Sequence, residues 1–82
     1  MSRIILHVLQ QKRHDTAIEV QKVLTDHGCL IKTRIGLHQT SESSCSEDGL
    51  IILELLNDKT KAVEMKNKLS SISGVKTELV EL

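Results

Sequence analysis

The sequence predicts one α+β domain in which four strands and two helices follow the order βαββαβ. Residues 3–9 and 50–56 are apolar on both faces, as central strands are, and apolar residues at helical spacing follow each of them. The extended segments 30–38 and 75–82 mix apolar with polar residues, which is typical of edge strands. We therefore expect a ferredoxin-like sandwich, with an antiparallel sheet in the order 4-1-3-2 and both helices on one face.

The first strand places alternate side chains on opposite faces of the sheet. Helix one is expected over about residues 16–27, with Thr16 as N-cap in a capping box with Glu19. Gly28 is the predicted left-handed residue that ends this helix. The two faces of the first strand are Ile4, Leu6 and Val8 against Ile5, His7 and Leu9, and the helical stripe is Ala17, Val20, Val23, Leu24 and His27.

The second strand, residues 30–38, alternates strictly and should have one face in water. Residues 39–48 form a polar, low-complexity stretch, so we expect a mobile loop there that ends at Gly49. We expect Ile31, Thr33, Ile35 and Leu37 to face the core, and Lys32, Arg34, Gly36 and His38 to face outward.

The second half repeats the strand–helix–strand pattern. After the third strand, Asn57 and Asp58 offer an N-cap for a helix over about residues 59–71, and Gly74 follows that helix. The apolar stripe of the helix is Ala62, Met65, Leu69 and Ile72, and one face of the last strand holds Val75, Thr77 and Leu79.

Composition excludes several functions for this chain of 82 residues. Eleven basic residues balance eleven acidic ones and there is no Phe, Tyr or Trp, so neither bulk charge nor base stacking supports direct nucleic-acid binding. No apolar run is long enough for a membrane span or a signal peptide, so we expect a cytoplasmic protein without membrane contact. Cys29 and Cys45 form no disulfide framework, and free thiols are expected.

The two central strands present apolar side chains on the face that the helices do not cover. Ile5 and Leu9, together with one face of the third strand, would form an apolar patch larger than soluble monomers usually expose. We therefore expect a homodimer or homotetramer, formed through the open sheet face or through strand edges. Isolated aliphatic residues on the surface are the alternative, and they are common.

Three segments carry a resemblance to a known family: Arg34-Ile35-Gly36, the run from Gly49 to Leu55, and the junction from Leu69 to Lys76. With the βαββαβ order, they make the chain resemble the ACT-like regulatory domains, most closely the small regulators of the iron-only hydrogenase system. The resemblance implies a homo-oligomeric module in transcriptional or metabolic regulation, which senses a small-molecule or metal effector and is not an enzyme. Residues 10–15 lack the glycine usual in amino-acid-binding members, which argues against that binding mode.

A more distant likeness is to the metal-binding domain of the nickel-responsive repressor. Its ligand pattern resembles His27-x10-His38 followed by Cys45, although Thr40 stands where that pattern has a third histidine and Cys45 is one residue closer. The resemblance implies a nickel, copper or zinc site at His27, His38 and Cys45. The alternative is that His27 is a helix C-terminal residue and His38 an exposed strand-end residue.

Arg34, Gly36 and His38 are the predicted ligand-binding residues. A strand glycine permits close approach of a ligand, and arginine can hold a carboxylate or a phosphate. A charged edge that blocks strand pairing is the alternative. No nucleophile with an orienting base and no phosphate-binding glycine motif is present, so we predict no catalytic residues, and the cofactor stays unknown. A small ferredoxin-like enzyme remains the third hypothesis, after a regulatory module and a metal-responsive one.

Overall fold

Four strands form one antiparallel sheet in the order β2-β3-β1-β4, which is the predicted 4-1-3-2 order read from the opposite edge. The computed structural model describes residues 2–11, 13–40 and 45–82, except the side chains of 13–15, 38–40 and 45–48. The predicted ferredoxin-like fold is confirmed. The elements are β1 (Ile4–Gln10), α1 (Arg13–Asp26), β2 (Ile31–Thr40), β3 (Cys45–Leu55), α2 (Lys59–Ser70) and β4 (Val75–Glu81).

The core is aliphatic and lies between the two helices and one face of the sheet. Side chains on β1 and β3 alternate between fully buried and half-buried positions, as strands with one covered face do. Because no core residue is aromatic, the core is held by close packing among many aliphatic side chains and one methionine. The core includes Ile4, Leu6, Val8, Val20, Leu24, Ile51, Leu53, Leu55, Ala62, Met65 and Leu69.

The second helix and the turn after it follow the sequence prediction. Asp58 is the N-cap, and its carboxylate accepts a hydrogen bond from the backbone N–H of Lys61 at 3.1 Å. Gly74 follows the helix with φ of 85°, and its carbonyl accepts a hydrogen bond of 2.7 Å from the backbone N–H of Gln11. This bond ties the end of β1 to the start of β4.

No helix among the described residues has the length and apolar character needed to cross a bilayer.

The predicted start of α1 was wrong, whereas its end at Asp26 lies one residue from the prediction. The helix begins at Arg13, so Thr16 lies inside it as a buried residue instead of forming the N-cap of a capping box. Its hydroxyl donates to Oε1 of Gln10 at 3.5 Å, which satisfies a buried amide that the sequence pattern did not reveal. Gly28 does not adopt the left-handed conformation and instead opens a 3-10 turn over Gly28–Leu30.

At both ends of the polar stretch 39–48, which the sequence predicts to be a loop, the chain instead extends the paired strands β2 and β3. β2 runs to Thr40 and β3 starts at Cys45, with Thr40 opposite Cys45 and His38 opposite Gly49. Backbone pairing needs no apolar side chain, so a polar sequence can continue a ladder that the apolar part has already aligned. The predicted mobility of residues 41–44 lies outside the described residues.

A bulge inverts the predicted faces of β2. Ile31 pairs with Leu55 on the covered face, but the register shifts between Ile31 and Thr33, so that Thr33 is opposite Glu54. One extra residue moves every following side chain to the other face of the sheet. Ile35 and Leu37 therefore lie on the open face, and Arg34 and Gly36 lie on the helix side, which is the reverse of the sequence prediction.

Candidate functional site

The face of the sheet opposite the helices carries a continuous apolar patch. Ile35 lies directly across from Ile52, and Leu37 lies across from Leu50, which itself pairs with Leu9 on β1. Ile35 and Leu37 are 49% and 48% exposed, and the central-strand members are half-buried. Monomeric soluble proteins rarely leave contiguous apolar patches of this kind uncovered. We call the patch the open face, formed by Ile5, Leu9, Ile35, Leu37, Leu50 and Ile52.

His7 lies within the open face. Its neighbours across the strands are Ile52 on β3 and Glu78 on β4. His7 is half-buried, with Ile5 and Leu9 two residues away on the same side of β1. The sequence placed this histidine among aliphatic residues, and the structure adds a carboxylate neighbour on the edge strand.

An ionic cluster borders one end of the open face. The guanidinium of Arg3 donates two hydrogen bonds to the Glu54 carboxylate, each 2.7 Å long, and the Lys32 ammonium lies 3.8 Å from the same carboxylate. The hydrogen bonds from Arg3 hold the pKa of Glu54 below its ordinary value of 4.5, against the opposing effect of burial. The same contact raises the pKa of Arg3. The cluster thus places ionised groups at the end of the patch and apolar groups at its centre.

A small groove opens on the other side of β2, and Gln21 of α1 is part of its lining. Arg34 and Gly36 lie on the helix side, opposite Leu53 and Ile51, and both are exposed. The volume of the groove is about 150 Å³. We call it the β2 groove; its lining includes Gln10, Gln21, Arg34, Gly36, Gly49 and Ile51.

The predicted ligand-binding residues come together only in part. Arg34 and Gly36 both line the β2 groove, whereas the side chain of His38 lies outside the described residues. Sequence reasoning missed Gln10 and Gln21. Gln10 could have been found, because it continues the alternation of Ile4, Leu6 and Val8 and so places an amide where an apolar side chain is expected.

Of the three predicted metal ligands, His27 lies far along β2 from the other two. His27 follows the end of α1, beside the start of β2, and its Nδ1 donates to the carbonyl of Val23 at 2.9 Å. His38 lies seven residues along β2 from Ile31, which is about 23 Å at the strand rise, and Cys45 pairs farther along with Thr40. The side chains of His38 and Cys45 lie outside the described residues. A site that used all three would need more than one chain.

A second and larger groove lies where α1 ends and α2 begins. Its volume is about 420 Å³, and His27, Cys29 and Asp58 are among the residues that line it. Cys29 is exposed and is a free thiol, as predicted. Among the described side chains, no three His, Cys, Asp or Glu groups are arranged to hold a metal ion.

Comparison with solved structures supports the fold. An uncharacterised protein from Thermotoga maritima is 24% identical, with a TM-score of 0.82 over 100% of this chain and 99% of that one. A protein from Thermus thermophilus that is described as a PII-like signalling protein is 8% identical, with a TM-score of 0.64 over 100% of this chain and 88% of that one. A formyltetrahydrofolate deformylase from Pseudomonas putida is 16% identical, with a TM-score of 0.58. The aligned region covers 95% of this chain and 28% of the deformylase.

These likenesses show a shared ferredoxin-like architecture. No protein-family model matches the chain, and no curated protein matches it. The comparisons therefore confirm the predicted ferredoxin-like fold, and the resemblance to ACT-like domains stays a prediction.

Proposed function

We propose that this chain is a cytoplasmic, ACT-like regulatory module that works as a homo-oligomer, with copies in contact through the open face. The apolar patch of that face is the observation that carries the proposal, because water contact at Ile35, Leu37 and their neighbours is unfavourable. A structural neighbour named as a signalling protein supports a regulatory role for the architecture. The role is not catalytic: the module acts through its association equilibrium and the partner protein that this equilibrium controls.

The size of the open face favours reversible assembly. The four strands have 7, 10, 11 and 7 residues, and at about 3.3 Å per residue and about 4.8 Å per strand they give a planar footprint of roughly 550 Å² per copy. Stable interfaces bury roughly 800 Å² per partner, so contact through this face alone falls at the weak end. A weak interface suits a regulator, because a modest change in binding free energy then shifts the population of monomer and oligomer.

Regulation in this scheme follows from a ligand-dependent change in the interface. A ligand bound on one side of β2 contacts the strand whose other side carries Ile35 and Leu37. A ligand that binds one assembly state more tightly shifts the equilibrium toward that state, and a partner that recognises the state then responds.

The proposal is tested by measuring mass in solution. We expect light scattering on the eluting protein to give a mass above 9.2 kDa that falls on dilution through the micromolar range. Ile35→Glu places a charge in the open face and should leave a folded monomer. Ile18→Glu is the matched control, because Ile18 is 84% exposed on α1, away from that face. A monomeric wild type at high micromolar concentration, or equal loss of mass in both variants, would contradict the proposal.

A further inference from the structure

We propose that the β2 groove binds the carboxylate of a small organic acid, with Arg34 as its main contact. The inference rests on the proposed regulatory function and names the chemical class of its effector. It depends on three features of the groove: the charge of its lining, the direction of its amide groups and its size.

The lining of the β2 groove is suited to an anion. Arg34 is the only charged residue among the described residues that line it, and its planar guanidinium can donate two parallel hydrogen bonds to a carboxylate. Gln21 and Gln10 add amide groups. The Gln10 oxygen already accepts from the Thr16 hydroxyl, so the Gln10 amide nitrogen, which can only donate, is the end suited to an anion.

Gly36 keeps the floor of the groove open. A Cβ atom added at Gly36 would meet no other atom within 4 Å, so a ligand can approach the strand backbone there. The volume of about 150 Å³ is comparable with that of about five water molecules, which suits a carboxylate with a short carbon chain. Ile51, buried at 5% exposure, offers apolar contact for the carbon chain.

The test is an NMR titration of the ¹⁵N-labelled full chain with acetate, propionate and butyrate. We expect the backbone amide signals of Gly36 and Gly49 and the side-chain amide signals of Gln21 to shift in a saturable way, with a dissociation constant on the order of 1 mM. Methylammonium at the same ionic strength should shift none of them. Absence of saturable shifts with all three acids at concentrations well above that constant would overturn the inference, as would inorganic phosphate binding more tightly than every acid.

Two substitutions and their controls assign the site. Arg34→Gln should weaken binding by about tenfold or more, because it removes the charge-assisted pair. Gly36→Val fills the open floor with a residue that strands favour and should abolish binding without unfolding the chain. Two control variants should bind as the wild type does. Lys76→Gln removes one positive charge on β4 and is the control for Arg34→Gln. Thr33→Val introduces valine elsewhere on β2 and is the control for Gly36→Val. Equal weakening by Arg34→Gln and Lys76→Gln would show non-specific charge attraction and refute the site.

The inference and the proposed function can fail separately. The monomeric variant Ile35→Glu changes a residue outside the lining of the groove and keeps Arg34, Gly36 and both glutamines, so it should still show the carboxylate-dependent shifts. A wild type that assembles but binds no acid overturns the carboxylate site alone. A wild type that binds the acids but stays monomeric overturns the assembly alone.

Discussion

Truncation of Ile35 to alanine gives the most quantitative test of the open face. Ile35 is 49% exposed, so about half of its burial remains to be gained on assembly. Full burial of an isoleucine side chain contributes about 1.5–3 kcal/mol, so each copy stands to gain about 0.7–1.5 kcal/mol. In a symmetric dimer both copies contribute, and Ile35→Ala should weaken association by about 1.5–3 kcal/mol, roughly 10- to 150-fold in the dissociation constant.

Sedimentation equilibrium at several loading concentrations measures this constant directly, and urea denaturation of each variant checks that the monomer fold is retained. Ile18→Ala is the matched control, because Ile18 on α1 is 84% exposed and would matter more if surface apolarity alone drove association. We expect the control to leave the constant unchanged. An effect of Ile18→Ala equal to or greater than that of Ile35→Ala would refute the assignment of the open face.

Two further predictions concern stability. Glu54 has a lowered folded-state pKa because Arg3 donates to it, so its contribution is complete above about pH 4.5 and is lost as the pH falls through the folded value. Glu54→Gln should therefore lower the Tm at about pH 6 but by much less at about pH 3, and an equal difference at both values would count against the contact. Gly74→Ala should destabilise the chain by about 1–2 kcal/mol in urea denaturation, because φ is 85° and the new Cβ would lie 3.2 Å from the Gln11 carbonyl oxygen. Gly28→Ala, where no atom lies within 4 Å, should show no such loss.

The elements predicted best were those whose side chains contact the core. The stripe of α2 from Ala62 to Ile72 is buried as its spacing predicted, since a helix with one covered face fixes the period of its apolar residues. The two central strands were also predicted correctly, because a strand with one covered face buries every second side chain. Arg34 and Gly36 line one groove, but on the face of the sheet opposite to the predicted one, and their role in ligand binding stays a prediction.

The misses arose where backbone hydrogen bonds or single buried contacts decide the structure. The hairpin extends through Thr40 and Cys45 by strand pairing, which leaves no apolar pattern in the sequence. The start of α1 was misplaced because Thr16 resembles an N-cap, whereas its hydroxyl contacts Gln10. The exposed position of Gln21 bordering the groove follows from the packing of α1 against the sheet, which a single sequence does not specify.

The bulge between Ile31 and Thr33 is the local feature on which both proposals depend. With regular pairing, Ile35 and Leu37 would pack toward the helices and Arg34 would lie within the open face. The apolar patch and the β2 groove would then be lost together. With the bulge, one strand presents the proposed interface on one side and the proposed ligand contacts on the other, one residue apart. Any shift of β2 on ligand binding must then alter the interface, and linkage requires that assembly change ligand affinity by the same factor. Under the two proposals, β2 alone links ligand binding to assembly.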